Sequence, residues 1–474
     1  MRNRRTLAWT TALVLAATSC GGGGDDAAPD PDGGVSPDEL PECPLDALDD
    51  VTEPVELTMW HTMTRANEEA LISLTEAFNA SQSDVVVKLV NNNSADDQHE
   101  KYLSALETGG RRPDLIQSQE YYLQQMVDTR SVLPVASCIE AAADGGEEVD
   151  TDDFVERTLA YYEIQDVQWA LPFAVSEPIL LYDRTAFERA GLDPDSPPAT
   201  FDDLRAAAQA LVDAGHEYGL GLKLDAWHLE QMLAWQGEPF VDNGNGRDDR
   251  ATELAFDTET AVETFAFLKG LVDDGLAVTN SAEGTGGFDN LLSVGTGKVG
   301  MTIDSSGTLG TIIEVLESGQ FPDVRPDVGP VPGLEDDGGV LVGGSGLYIT
   351  APDGEPEKQA AAWRFAEFLT SPESQSKWAA ATGFIPVRRS ATELPEIQQR
   401  WEEIPGFRVA YDELNEGAEN DATAGPAIGD YRGVRRVVGE IESRMYLEDL
   451  SPEDAIAQIT EEVNEVLASY NERL

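Results

Sequence analysis

Two prolines dictate how the middle of this chain runs. Pro172 and Pro178 sit in the segment LPFAVSEPILLYD, residues 171–183. Proline has no amide hydrogen and drives the residue before it toward extended backbone, so helix is excluded here. The apolar run Ile179–Leu181 has the length of a buried strand. A short helical stretch follows, stopped at Gly191, and then a Pro-rich turn. An extended apolar segment between two long α/β stretches reads as a connection between two blocks. The chain's 474 residues exceed one ordinary hydrophobic core, which also points to two domains.

Before this segment the pattern alternates strand and helix. Glu56–His61 is a strand, a helix runs from about Arg65 to Asn79, Val85–Val90 is the next strand, and a third runs Pro113–Ser118. Such alternation builds a mostly parallel sheet with helices on its faces, and ligands bind at the carboxyl ends of its strands. That rule selects Trp60, His61, Asn91–Asn93, Gln119, Glu120, Tyr121 and Tyr122. After the crossing segment the pattern repeats: helix 201–214, strand 218–222, an aromatic stretch containing Trp227 and Trp235, helix 257–274, and strand 299–303. The loop Asp304-Ser305-Ser306-Gly307 then opens a helix with apolar residues at Leu309, Ile312, Ile313 and Leu316. Free backbone N–H groups beside two hydroxyls suit an anion or a cluster of ligand hydroxyls; simple capping by serine is the alternative. Residues 340–349 read as a second crossing strand and 383–387 as a third.

The charge balance excludes whole classes of partner. With 89 acidic and 31 basic side chains the net charge is −58, which rules against nucleic acid and anionic membrane surfaces. At the start, Arg2, Arg4 and Arg5 precede the apolar run Leu7–Ala17 and the small residues before Cys20. This is a secretory signal, residues 1–19, with Cys20 as a lipidation site. Residues 20–53 are rich in glycine, proline and acid and read as a lipid-anchored disordered tether. The remaining cysteines, Cys43 and Cys138, are an even pair in an exported chain; one disulfide is expected, the alternative being two buried thiols.

Catalytic and metal motifs do not emerge. The histidines are His61, His99, His216 and His228, and none forms H-E-x-x-H. Gly343-Gly344-Ser345-Gly346-Leu347 misses the G-x-S-x-G elbow at its last position, and no phosphate loop of the ATPase type is present. Residues 242–249 (DNGNGRDD) lack the register of a calcium loop and read as a polar turn. No cofactor, metal or catalytic group is expected. Aromatic faces and hydroxyl partners are well supplied, as a sugar or polyol site requires. Because two carboxylates suffice for glycoside hydrolysis, a secreted carbohydrate-active enzyme stays open as an alternative, as does a ligand-free scaffold lipoprotein.

The run LPFAVSEPILLYDRTAFERAGLDPDSPPATFDDL, together with MWHTM, the helix ending in AFN, and the later TG and PD, resembles the bacterial extracellular solute-binding proteins. These are the capture subunits of carbohydrate-uptake ABC importers, and the chain is similar to their glycerol-3-phosphate-binding members. The resemblance implies an α/β, two-lobed periplasmic-binding-protein fold of the maltose-binding type with hinge crossings. Lobe 1 would take 54–172 and 346–384, lobe 2 173–345 and 385–474. It further implies a monomer on the outer face of the cell membrane, lipid-anchored, which delivers a sugar, polyol or glycerophosphate to permease subunits. The expected ligand-binding set is Trp60, His61, Glu120, Tyr121, Ser176, Trp227, Asp304, Ser305, Ser306, Gly344, Ser345 and Phe384. Phe384 falls where those members carry tyrosine. Their arginine should fall near Gly425-Pro426, where this chain has none; Arg432 or Arg435 would have to replace it. A site without that guanidinium favours a neutral sugar or polyol over a phosphate.

Overall fold

The computed structural model describes residues 40–474 apart from 50, 147–148, 225, 257, 282–288, 334–337 and 351–354. The signal sequence, Cys20 and most of the expected tether lie outside the described residues. The described residues all fall within one compact unit.

Strands β1 (Val55–His61), β2 (Val85–Asn91), β3 (Leu115–Gln119) and β4 (Val132–Leu133) alternate with helices Arg65–Ser81, Ala95–Thr108 and Leu123–Asp128. The small hairpin β5 (Glu163–Ile164) and β6 (Val167–Gln168) leads into β7 (Leu171–Ser176), and one residue later β8 (Pro178–Asp183) begins. Then come β9 (Leu220–Leu224), β10 (Ala277–Ser281), β11 (Met301–Ser305), β12 (Pro326–Gly329) and β13 (Gly343–Thr350). The first sheet is ordered β2-β1-β3-β13-β4 with β7 paired to β13, and the second β10-β9-β11-β8-β12.

Neither sheet is purely parallel. β1 pairs parallel with β2 and β3, but β13 runs antiparallel to β3, β4 and β7. In the second sheet β8 is antiparallel to β11 and β12. The exceptions are the strands that pass from one sheet to the other, which enter their new neighbours in reverse. Pro172 is accommodated where the β7–β13 register shifts, the kind of place at which a sheet tolerates proline.

The strands move the expected boundaries. Residues 173–176 belong to the first sheet, because Ser176 still pairs with Gly343. Residues 343–345 likewise belong to it, since Ser345 pairs with Gln119. Ile385 meets Val175 in an antiparallel bridge, so the three crossing segments lie side by side. The tether boundary also moves. Cys43 is buried and bonded to Cys138, and the turn Leu45–Leu48 packs on the core, so residues 40–49 are part of the folded body.

One buried cluster runs through both sheets. A second is mostly helical: helices Ala226–Trp235, Thr258–Asp273, Tyr431–Leu447 and Pro452–Asn471 pack through Leu229, Phe265, Val438 and Ile459. The last helix starts at Ser451, whose side chain accepts from the Asp454 N–H, with Pro452 in its first turn. This helical block carries Trp227, Glu230 and Arg435 to the site.

Candidate ligand-binding site

The carboxyl ends of β1, β3, β9 and β11 converge on the crossing strands, where they enclose a cavity of about 330 Å³. Thr62, Met63 and Thr64 come from the turn after β1 and Asn67 from the helix that follows it; Gln119 ends β3, and Glu120 and Tyr121 come next. The second sheet contributes Lys223 of β9 and Trp227 after it, and Ser305 at the end of β11 with Gly307 and Thr308 after it. Ser176, Gly343, Gly344, Ser345 and Phe384 belong to the crossings, and Arg435 reaches in from helix Tyr431–Leu447.

Of the expected residues, Glu120, Tyr121, Ser176, Trp227, Ser305, Gly344, Ser345 and Phe384 line this cavity. Four do not. Trp60 is buried with the Lys101 ammonium 4.0 Å over its ring. His61 is buried, and burial lowers its pKa. Asp304 lies behind Lys223, 4.0 Å from the ammonium, and accepts from the Ser305 N–H. Ser306 ties the crossing to β11: its N–H donates to the Glu177 carbonyl and its hydroxyl accepts from the Glu177 N–H. Trp235 is likewise core. The residues after Val241 form a turn through left-handed Asn243, Gly244 and Asn245, with the Asp242 carboxylate accepting from Thr252.

Arg435 is the residue that sequence spacing did not settle. Its Nε and Nη2 donate to Glu230 at 3.0 and 2.7 Å, a bidentate pair, and its Nη1 donates to Glu120 at 3.2 Å. The guanidinium lies 4.7 Å from the Tyr121 ring and 4.5 Å from the Tyr431 ring, and the Tyr431 hydroxyl donates to Glu230. Burial works against the Arg435 charge, but Glu230, Tyr431 and Glu120 together hold it charged. Glu120 is pushed up to about 7: burial dominates, Glu230 adds to it, and Arg435 opposes it. Arg432 instead faces outward and pairs with Asp96 and Glu100.

Other contacts shape the walls. The Asn67 amide donates to the Gly307 carbonyl at 3.0 Å, joining the helix after β1 to the turn after β11. Ser305 caps that turn by accepting from the Gly307 N–H. A side chain at Gly307 would strike the Phe384 ring at 2.5 Å, which is why the aromatic face can sit flush against the turn. The Ser345 hydroxyl is buried without a hydrogen-bond partner. The site therefore offers aromatic faces (Trp227, Tyr121, Phe384), hydroxyls, backbone groups, a carboxyl and two cations. It can bind a small polar molecule from several sides.

The family model for bacterial extracellular solute-binding protein matches residues 73–406. The sn-glycerol-3-phosphate-binding periplasmic protein UgpB of Escherichia coli K12 is 27% identical over 422 residues, 87% of this chain and 93% of that protein. The UgpB of Salmonella typhimurium is 26% identical over 419 residues, with the same coverage. Among solved structures, UgpB from Mycobacterium tuberculosis in complex with glycerophosphocholine has a TM-score of 0.72 at 21% identity, covering 88% of this chain and 99% of its own. The GacH receptor of Streptomyces glaucescens, solved unliganded and with acarbose, also has a TM-score of 0.72, at 20% identity and the same coverage. The fold is that of the two-lobed periplasmic binding proteins, the maltose-binding proteins among them.

Proposed function

The chain belongs to the bacterial extracellular solute-binding proteins and is therefore a binding protein rather than an enzyme; on that premise we propose that it captures a sugar, polyol or glycerophosphate-type ligand in this cavity and delivers it to an ABC permease. One observation carries the ligand site: the strand ends of both sheets and the crossing strands line one open cleft of about 330 Å³. Trp227, Tyr121 and Phe384 supply faces for C–H groups, while Glu120, Ser176, Ser305 and Ser345 supply hydroxyl partners. Arg435 and Lys223 supply cations, so a phosphate belongs to the ligand range on equal terms with a neutral sugar.

The two sheets with their helices act as lobes that close by bending at the crossings, and closure changes the surface offered to the permease. Export by the leader, lipid attachment at Cys20 and action as a monomer on the outer face of the membrane complete the reading. Among the described residues no helix is long and apolar enough to cross a membrane.

A thermal-shift screen of sugars, polyols and glycerophosphodiesters tests it. A true ligand at 100 times its Kd adds about 2.7 kcal/mol of stability. No stabilisation across the whole panel, or chemical conversion of a bound sugar, would overturn the proposal.

A further inference from the structure

Two carboxylates share one guanidinium at the floor of the cavity. Glu230 takes the Nε and Nη2 edge of Arg435, and Glu120 takes Nη1. Glu120 and Arg435 both form part of the cavity wall, whereas Glu230 does not. Across the space Lys223 stands 4.0 Å from Asp304. Glu120, Glu230 and Asp304 are the acids of this group, and Arg435 and Lys223 its cations. We propose that the proton on Glu120 sets the charge of the ligand this site accepts. As a neutral acid, Glu120 leaves Arg435 open to one negative charge on the ligand; as a carboxylate, it repels anions and serves ligand hydroxyls as an acceptor.

The surroundings of Glu120 make it the group that changes state. Glu230 faces it from helix Ala226–Trp235, Arg435 and Tyr431 from helix Tyr431–Leu447, and Tyr121 is its chain neighbour. Tyr161 and Tyr162, after helix Glu156–Ala160, and Tyr348 of β13 also lie within its field. Burial raises Tyr161, Tyr162, Tyr348 and Tyr431, so these phenols stay neutral, while Arg435 stays charged. Glu120, pushed up to about 7 by burial, changes charge across the neutral range. An anion beside Arg435 binds only the neutral-acid form, and its apparent affinity scales with the population of that form.

This inference rests on the capture reading, and the experiment separates the two. Calorimetric titration of the full chain at pH 6 and pH 8 uses glycerophosphoglycerol, a diester of fixed single charge, and maltose, which is uncharged. The neutral acid is depleted as pH rises through the neutral range, so glycerophosphoglycerol should bind several-fold more weakly at pH 8 than at pH 6. Maltose should lose no affinity over that interval, and in Glu120→Gln the pH dependence for the diester should disappear. Equal diester affinity at both pH values, a slope that persists in Glu120→Gln, or no diester binding at pH 6 would each overturn the inference. Failure of every compound in the wider panel would overturn the capture reading as well.

Discussion

Replacing Arg435 with methionine isolates the interaction that organises the floor of the cavity. The Glu230 side chain is 1% exposed, so its carboxylate is out of reach of bulk water. In the native protein it accepts two charge-assisted hydrogen bonds from Arg435 and one from the Tyr431 hydroxyl. Methionine keeps an unbranched apolar stem and removes both charge-assisted bonds to Glu230. A buried ion pair broken on one side leaves an uncompensated charge and costs about 3–5 kcal/mol. Glu230→Gln should cost a similar amount, because the guanidinium then loses its bidentate partner. The double variant removes both charges, so its loss should fall short of the sum of the single losses by about 2 kcal/mol or more. Urea unfolding of the four proteins without ligand, followed by tryptophan fluorescence and circular dichroism, gives the complete cycle. A loss under about 1 kcal/mol for Arg435→Met, or strictly additive losses, would refute the reasoning, since it would mean the pair is solvated.

Further tests follow from the crossings and the disulfide. Both Glu177 carboxylate oxygens are buried without a hydrogen-bond partner, and burial, reinforced by Glu413 and opposed by Arg157, raises its pKa well above the usual carboxylate range. A carboxyl raised in the folded state favours folding at low pH, and that contribution is lost as pH rises from its unfolded value toward its folded one. Melting temperature against pH from 5 to 9 should therefore fall less steeply in Glu177→Gln than in the parent; parallel curves would remove the argument. Cys43 and Cys138 are 95 residues apart, so replacing both by serine should cost about 4.7 kcal/mol in the chain-entropy account, read from urea midpoints; a loss below about 1 kcal/mol would contradict it. Gly344 has φ +97° and a Cβ there would lie 1.9 Å from the Ala174 carbonyl, so Gly344→Ala should destabilise by about 2 kcal/mol or more and weaken ligand binding. Gly439→Ala, with nothing within 4 Å, is the control: the same melts should show it neutral or stabilised by about 1 kcal/mol, as alanine in a helix predicts.

Local chemistry made the crossings readable in sequence. Pro172 and Pro178 exclude helix, and Gly191 ends the next one, so the extended segment stands out without any tertiary knowledge. Glu120 was legible because it follows a strand whose end the α/β rule marks, and Ser305 because two hydroxyls stand there at the start of a helix. The same rule misplaced Trp60 and His61, because Leu57–His61 are all buried and alternation cannot tell which strand-end side chains face the cleft. Arg435 was hidden for a different reason. It lies in a helix beside Arg432 and Arg436, both of which pair at the surface, and only the packing of that helix on Ala226–Trp235 turns one of the three inward. The tether was drawn too long because composition alone cannot show that Leu45 and Leu48 find a surface to cover.

Between β7 and β8 the chain goes from one sheet to the other in a single residue, Glu177. Beside it, Ser176 is registered with Gly343, and Val175 with both Gly344 and Ile385. Strands cross-linked in this way cannot turn independently; rotating one drags its neighbours through the shared ladder. The mechanical result is a shared seam: a bend at any one of the three crossings strains the pairing of the other two.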